Sequence, residues 1–179
     1  MITVCVATAL HPQARQSFRK HAPLGEVVQA DAADWRAYWR VIAARWGRGD
    51  DLLIVEHDVI LHEAVLPQLE SCLEPWCLFP YRHPGCGPSG WMMTGLGCTR
   101  FRREFQDRVT LEEIASQAGN CSRCDGKERK HECWMHLDGR IREAGERLGF
   151  TAHAHWPSAG HRSSPPGELP ESVSSRSAG

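Results

Sequence analysis

The chain of 179 residues has no apolar run long enough to cross a bilayer, no excess of charge of one sign and no internal repeat. A membrane-spanning helix needs about 20 predominantly apolar residues, and nothing here approaches that length. The formal net charge of -1 excludes the strongly basic balance by which many nucleic-acid binders are recognised. Local basic clusters, Arg100, Arg102, Arg103 and Arg123, Lys127, Arg129, Lys130, read as solvated surface. The apolar opening, Met1 to Leu10, lacks the positive flank of a secretory leader. These absences lead to the expectation of a cytoplasmic protein with no membrane span. Cysteine is not scarce. In a reducing compartment the eight cysteines are read as thiols or metal ligands rather than as disulfides.

Strand and helix signals alternate along the chain. Ile2 to Ala7 is β-rich and apolar, and Pro12 suits the first turn of a helix reaching about His21. Glu26 to Ala30 is a short second strand closing on Asp31. Trp35, Tyr38, Trp39, Ile42 and Trp46 recur at helical spacing, with Asp34 as N-cap and Gly47 as stop; this aromatic face is read as core. Ala64 to Cys72 reads as a helix and Trp76 to Phe79 as a strand. His83 to Gly97 is a Gly/Pro-dominated loop, and Gly95 to Thr99 leads into a charged helix carrying Phe101 and Phe105. Thr110 and Glu113 have capping-box spacing. A long helix from Trp134 to Leu148 stops at Gly149, and Phe150 to Trp156 is a last strand. From Ser163 onward Ser, Pro, Gly and Glu predict a disordered tail, residues 163–179. The alternation argues for one α/β domain over residues 1–162 with a mostly parallel sheet.

Leu52 to Val55 is an unbroken apolar run, the mark of a strand buried on both faces, and Glu56, His57 and Asp58 follow it directly. Open α/β sheets bind ligands at the carboxyl ends of their strands. Two acids there either hold a divalent cation that relieves their repulsion or form a solvated turn. A second cluster is set by spacing: Cys121-Ser-Arg-Cys124 and Cys133-Trp-Met-His136, with His131 as a competing ligand. Thiolate and imidazole pairs two residues apart suit a tetrahedral Zn²⁺, here structural, pinning a polar loop at about 119–136. Cys5, Cys72, Cys77 and Cys98 stand in apolar contexts and are read as core thiols.

The order of Val4-Cys-Val-Ala-Thr8, the tryptophan helix, Leu53-Ile-Val-Glu-His-Asp-Val-Ile60, Gly95-Leu-Gly-Cys98, Trp134-Met-His-Leu-Asp138 and Ala159-Gly-His161 resembles small GT-A-type glycosyltransferases of actinobacteria and their phages. The resemblance covers roughly residues 1 to 163. It implies a single GT-A-like, Rossmann-like α/β domain whose mostly parallel mixed sheet is flanked by helices. It also implies transfer of a hexose from a nucleoside-diphosphate sugar to a hydroxyl acceptor, which the sequence does not identify as glycan, protein or modified DNA base. Glu56-His57-Asp58 then resembles the family's Asp-any-Asp motif, with Glu in the first place. Asp58, with Glu56 and His161, would hold Mn²⁺ or Mg²⁺, while Thr8, Asp31 and Glu56 would meet the donor. Asp138 is the candidate catalytic base, or else an acid favoured by the helix dipole. Trp91 is placed on the acceptor side as a stacking surface. The contrasting expectation is a non-catalytic, zinc-containing binding module of the same fold that recognises nucleotide, nucleic acid or protein.

Overall fold

In the computed structural model, which describes residues 1–7, 9, 11–31, 33–82, 90–93, 95–117, 133, 136–157 and 159–161, strands and helices follow the predicted alternation. The order is β1 (Ile2–Ala7), α1 (Pro12–His21), β2 (Glu26–Gln29), α2 (Ala37–Ala43), β3 (Leu52–Glu56), β4 (Val59–Ile60), α3 (Val65–Ser71), β5 (Trp76–Leu78), β6 (Tyr81–Arg82), β7 (Trp91–Met92), β8 (Cys98–Phe101), α4 (Arg103–Arg108), α5 (Leu111–Ser116), α6 (Leu137–Arg147), β9 (His153–Ala154) and β10 (Gly160–His161). No helix among the described residues is long and apolar enough to cross a membrane.

A 6-stranded sheet has the order β2-β1-β3-β8-β5-β9. β1 runs parallel to β2 and β3, and β5 parallel to β9, whereas β8 is antiparallel to both β3 and β5. Successive side chains of a strand face opposite sides of a sheet, which divides the core in two. On one face Val4, Val6, Leu52, Ile54, Trp76 and Phe101 pack under α2, α4, α5 and α6. On the other, Cys5, Leu53, Val55, Cys77 and Cys98 pack with Phe18 of α1 and with Val65 and Leu69 of α3. The product is an α/β domain with a mixed sheet and helices on both faces.

The antiparallel β8 departs from the expectation of a helix carrying Phe101. Cys98 to Phe101 are all buried, and Phe101 stacks on Phe105 of the following α4 with ring centroids 5.0 Å apart. The strand was obscured by Arg100, whose charge breaks the apolar pattern. Arg100 is itself only 4 % exposed, so it is not solvated surface. Its guanidinium donates to the Asp51 carboxylate through Nη2, and through Nε at 3.2 Å, and to the carbonyls of Leu69 and Cys72 at the end of α3. A buried arginine is stable only with such partners.

Smaller differences lie at the helix starts. The N-cap of α2 is Arg36 rather than Asp34, and Asp34 instead accepts the Arg36 N–H at 3.0 Å in the preceding turn. α2 ends at Ala43 with Ala44 as its C-cap, before the expected stop at Gly47 (φ 68°), whereas Gly149, with φ 84°, follows α6 as expected. The Thr110 hydroxyl accepts from the Glu113 N–H at 3.2 Å, completing half of the predicted capping box. Among the described residues the α6 helix runs from Leu137 with His136 at the N-cap position; Trp134, where the helix was expected to begin, lies outside the described residues. The tail at 163–179 and most of the loop at 119–136 lie outside the described residues.

Candidate functional site

Because β1, β2 and β3 are parallel, their carboxyl ends share one edge of the sheet. β8 enters from that edge in the opposite sense, and the Glu56 N–H donates to the Gly97 carbonyl at 2.8 Å. Glu56 therefore ends the central strand where the direction of the sheet changes. It is half-buried, and its two carboxylate oxygens are met from opposite sides of the sheet. Tyr38 of α2 donates to Oε1 at 3.3 Å, and Tyr81 of β6 donates to Oε2 at 3.3 Å.

The Tyr81 ring can come this close because residues 95 and 97 are glycines. A Cβ on Gly97 would lie 2.1 Å from Tyr81 Cε1, and one on Gly95 would lie 2.8 Å from its hydroxyl. The Gly95-Leu-Gly97 sequence thus has a physical reason in this chain: it makes room for the ring that holds Glu56.

Removal from water raises the Glu56 carboxyl to about 7, helped by the charges of Asp58 and Asp138 and opposed by the two tyrosine bonds. Asp58 is 9 % exposed in the turn after β3, and Asp138 lies in the first turn of α6. The structure thus brings Asp58 and Asp138 into electrostatic reach of Glu56. It also brings the backbone of His161 beside this turn, since β10 pairs antiparallel with β4 in the register His161↔Val59. No Mn²⁺- or Mg²⁺-type ligand set is evident here: among the described residues, these acids do not close on one point within metal-ligand distance.

The other predicted residues are more scattered. Asp31 is exposed beyond β2 and accepts the Ala33 N–H at 2.9 Å. Trp91 is buried in β7, with the Arg82 guanidinium 4.9 Å from its ring centroid and Trp156 edge-on at 5.1 Å. Thr8, Cys121, Cys124 and His131 lie outside the described residues. Of that zinc motif, Cys133 is buried near Trp35 and His136 is exposed at the start of α6.

A different set of metal-type ligands does converge. The Sγ atoms of Cys72 and Cys77 and a ring nitrogen of His155 lie within 4.8 Å of one another, a cluster able to hold a metal ion. Cys77 is buried in the core and Cys72 packs against it, as the reading of core thiols expects, and both also converge with His155. Both thiols face the α3 side of the sheet, where a hydrogen bond links them. Sequence inspection missed the cluster because its members come from the end of α3, from β5 and from beyond β9.

By sequence, no protein-family model and no curated protein matches the chain. Two solved structures share its fold at low identity. One is a glycosyltransferase involved in the glycosylation of the major capsid of PBCV-1, with a TM-score of 0.51 and 10% identity, covering 89% of this chain and 93% of that one. The other is A197 from STIV, with a TM-score of 0.50 and 12% identity, covering 87% of this chain and 82% of that one. The architecture is accordingly broadly GT-A-like, with the antiparallel β8 giving the sheet its mixed character.

Proposed function

We propose that the chain is a metal-containing binding module of the GT-A-like fold, which takes a nucleotide-type ligand in the crevice at Glu56, Asp58 and Asp138. The observation that carries this reading is the state of Glu56. A carboxyl whose two oxygens already accept from tyrosine hydroxyls, and which does not converge with the neighbouring acids on one point, is poorly placed to ligate a hard divalent cation. It is well suited to exchange hydrogen bonds with ribose or base hydroxyls and amides. The nucleic-acid version of this reading loses support at Arg100, which is buried in an ion pair rather than offered to phosphates.

A second reading is favoured by the fold and by the two further acids within electrostatic reach of Glu56: metal-dependent transfer of a hexose from a nucleoside-diphosphate sugar to a hydroxyl acceptor. Asp58, with Glu56 and His161, would then hold Mn²⁺ or Mg²⁺, whose chemistry is to stabilise charge on the departing diphosphate. Asp138 would take the acceptor hydroxyl's proton. Thr8 and Asp31 would line the nucleoside pocket, and Trp91 would border the acceptor side.

Calorimetric titration with UDP, GDP and TDP, with Mn²⁺ and with chelator, tests the first reading. The same samples are assayed for sugar-nucleotide hydrolysis. Nucleotide binding that Asp58→Ala weakens at least ~10-fold, about 1.4 kcal/mol, with no turnover, is the expected result. Metal-dependent turnover abolished by Asp58→Ala would replace binding by catalysis. No binding of any nucleotide would remove both readings from this crevice.

A further inference from the structure

We infer that Cys72, Cys77 and His155 form a structural Zn²⁺ site that fastens α3 and the edge strand β9 to β5. This deepens the metal half of the binding reading and rests on it. Nucleotide capture is measured separately, so failure here leaves the crevice reading untouched.

The topology makes the convergence a consequence of the fold. Cys72 is the residue that ends α3, where its N–H still bonds to the Gln68 carbonyl. Cys77 is the middle residue of β5. β9 pairs in parallel with β5 in the register Cys77↔His153, and the His155 N–H donates to the Leu78 carbonyl at 2.8 Å. Side chains two apart on a strand share a face, so His155 follows His153 to the side of the sheet that bears Cys77.

The local chemistry selects the ion. Two thiols and an imidazole are soft or borderline ligands, suited to Zn²⁺ and ill suited to Mg²⁺ or Mn²⁺. Zn–S bonds of about 2.3 Å in a tetrahedron put the two sulfurs about 3.8 Å apart, so ligand atoms already within 4.8 Å need little movement. Zn²⁺ with two thiolates is neutral, and binding releases two thiol protons to solvent. The neighbouring Arg100 charge is already balanced by Asp51. His155 Nε2 is buried without a hydrogen-bond partner, a cost that ligation or a small shift of the ring would relieve. Its ring is steadied by Phe79, stacked at 5.3 Å between centroids. His153, edge-on to His155 at 4.8 Å and exposed, is the imidazole at hand for the fourth position; otherwise a water fills it.

The test uses the reduced full-length chain. Metal analysis is combined with Co²⁺ titration, in which thiolate ligation produces a near-ultraviolet charge-transfer band and tetrahedral geometry produces visible bands, both erased by Zn²⁺. The proposal expects these bands in the parent and in the Cys121→Ser/Cys124→Ser variant. It expects their loss, with one fewer equivalent of zinc, in Cys72→Ser and in His155→Ala. Both of the latter positions are only half-buried, and circular dichroism checks their folding. If either variant fails to fold, the parent supplies the answer: Zn²⁺ should protect Cys72 from maleimide relative to chelator, read by peptide mass mapping. Unchanged bands in both Cys72→Ser and His155→Ala, bands lost only in the Cys121/Cys124 variant, or equal labelling of Cys72 with and without Zn²⁺ would overturn it.

Discussion

The acidic end of β3 and the thiol cluster beside β5 are two gatherings of metal-type ligands on one sheet, and they are built in opposite ways. At the strand end, Asp58 and Asp138 act on Glu56 with like charge, the Glu56 midpoint is raised, and two tyrosines donate to it. At the cluster, neutral thiols and an imidazole converge within 4.8 Å, beside an arginine whose charge is already matched. On the reading proposed above, the first arrangement takes a hydrogen-bonding organic ligand, and the second a soft cation. A motif that looks like a metal site by residue type is therefore not the same as one whose donor atoms converge on one point.

The largest expected effect comes from the Asp51–Arg100 pair, which supports the thiol side. Asp51 lies 24% exposed and Arg100 5% exposed by side chain. Burial pushes the Asp51 carboxyl up, but the bonds from Arg100 and from the Arg103 N–H at 2.9 Å outweigh it and hold the carboxyl below its ordinary value. Asp51→Ala would strand a buried guanidinium and loosen its hold on the last carbonyls of α3. A loss of about 2–4 kcal/mol is expected in urea unfolding at neutral pH. Zn²⁺ affinity at the cluster should fall with it, while nucleotide binding at Asp58 should not. Equal losses at both regions would break the distinction drawn between them.

How much of this was legible in the sequence depends on whether a feature is local. β1, α1 and β3 follow from apolar runs and a proline within about 10 residues, and the structure has them where the pattern puts them. Glu56 and Asp58 stand out in the sequence because strand-then-acid is also local. Phe101 was misplaced onto a helix because Arg100 interrupts the apolar run, and only its distant partners Asp51, Leu69 and Cys72 explain why a charge belongs in a central strand. The Cys72–Cys77–His155 cluster was invisible for the same reason, since a parallel pairing between β5 and β9 has no signature in either segment alone. Tyr38 was counted as core by its helical spacing, although its hydroxyl serves Glu56. Asp138 was named through family likeness, and the fold does bring it into reach of Glu56.

The next effect separates the crevice from a hard-metal site through pH. The Glu56 carboxyl has an ordinary value of 4.5 and a folded value of about 7. Below both values it is protonated whether folded or not, and its contribution to stability is fully present. As pH rises between them the unfolded chain ionises first, so stability falls through that window and levels off above the folded value. Glu56→Gln should abolish the fall and be more stable than the parent above pH 7 by about 1–3 kcal/mol, or roughly 2–10 °C in Tm. Saturating Mn²⁺ should leave the parent's profile in place. Parallel profiles for parent and variant, or a Mn²⁺-dependent flattening of the parent's curve, would return Glu56 to the role of an ionised metal ligand.

The smallest expected effect is that of Tyr38→Phe, and it asks how far the tyrosines set the state of Glu56. At 3.3 Å the Tyr38–Glu56 contact is long for an O–H···O bond, so its removal should cost no more than about 1 kcal/mol. The ring keeps its place against the aromatic core, because Phe preserves the packing of α2 over the sheet. Tyr38 donation favours the ionised carboxylate, so its loss should move the Glu56 midpoint further up. The fall in stability with pH would then extend to higher pH, and a carboxyl-specific infrared or NMR titration should locate the same displacement. Tyr81→Phe should act in the same direction, since Tyr81 bonds the other oxygen at the same distance. A midpoint that moves down, or does not move in either variant, would mean that burial and the neighbouring acids alone govern Glu56. The crevice would then be an electrostatic trap without the hydrogen-bond donors needed to select an organic ligand.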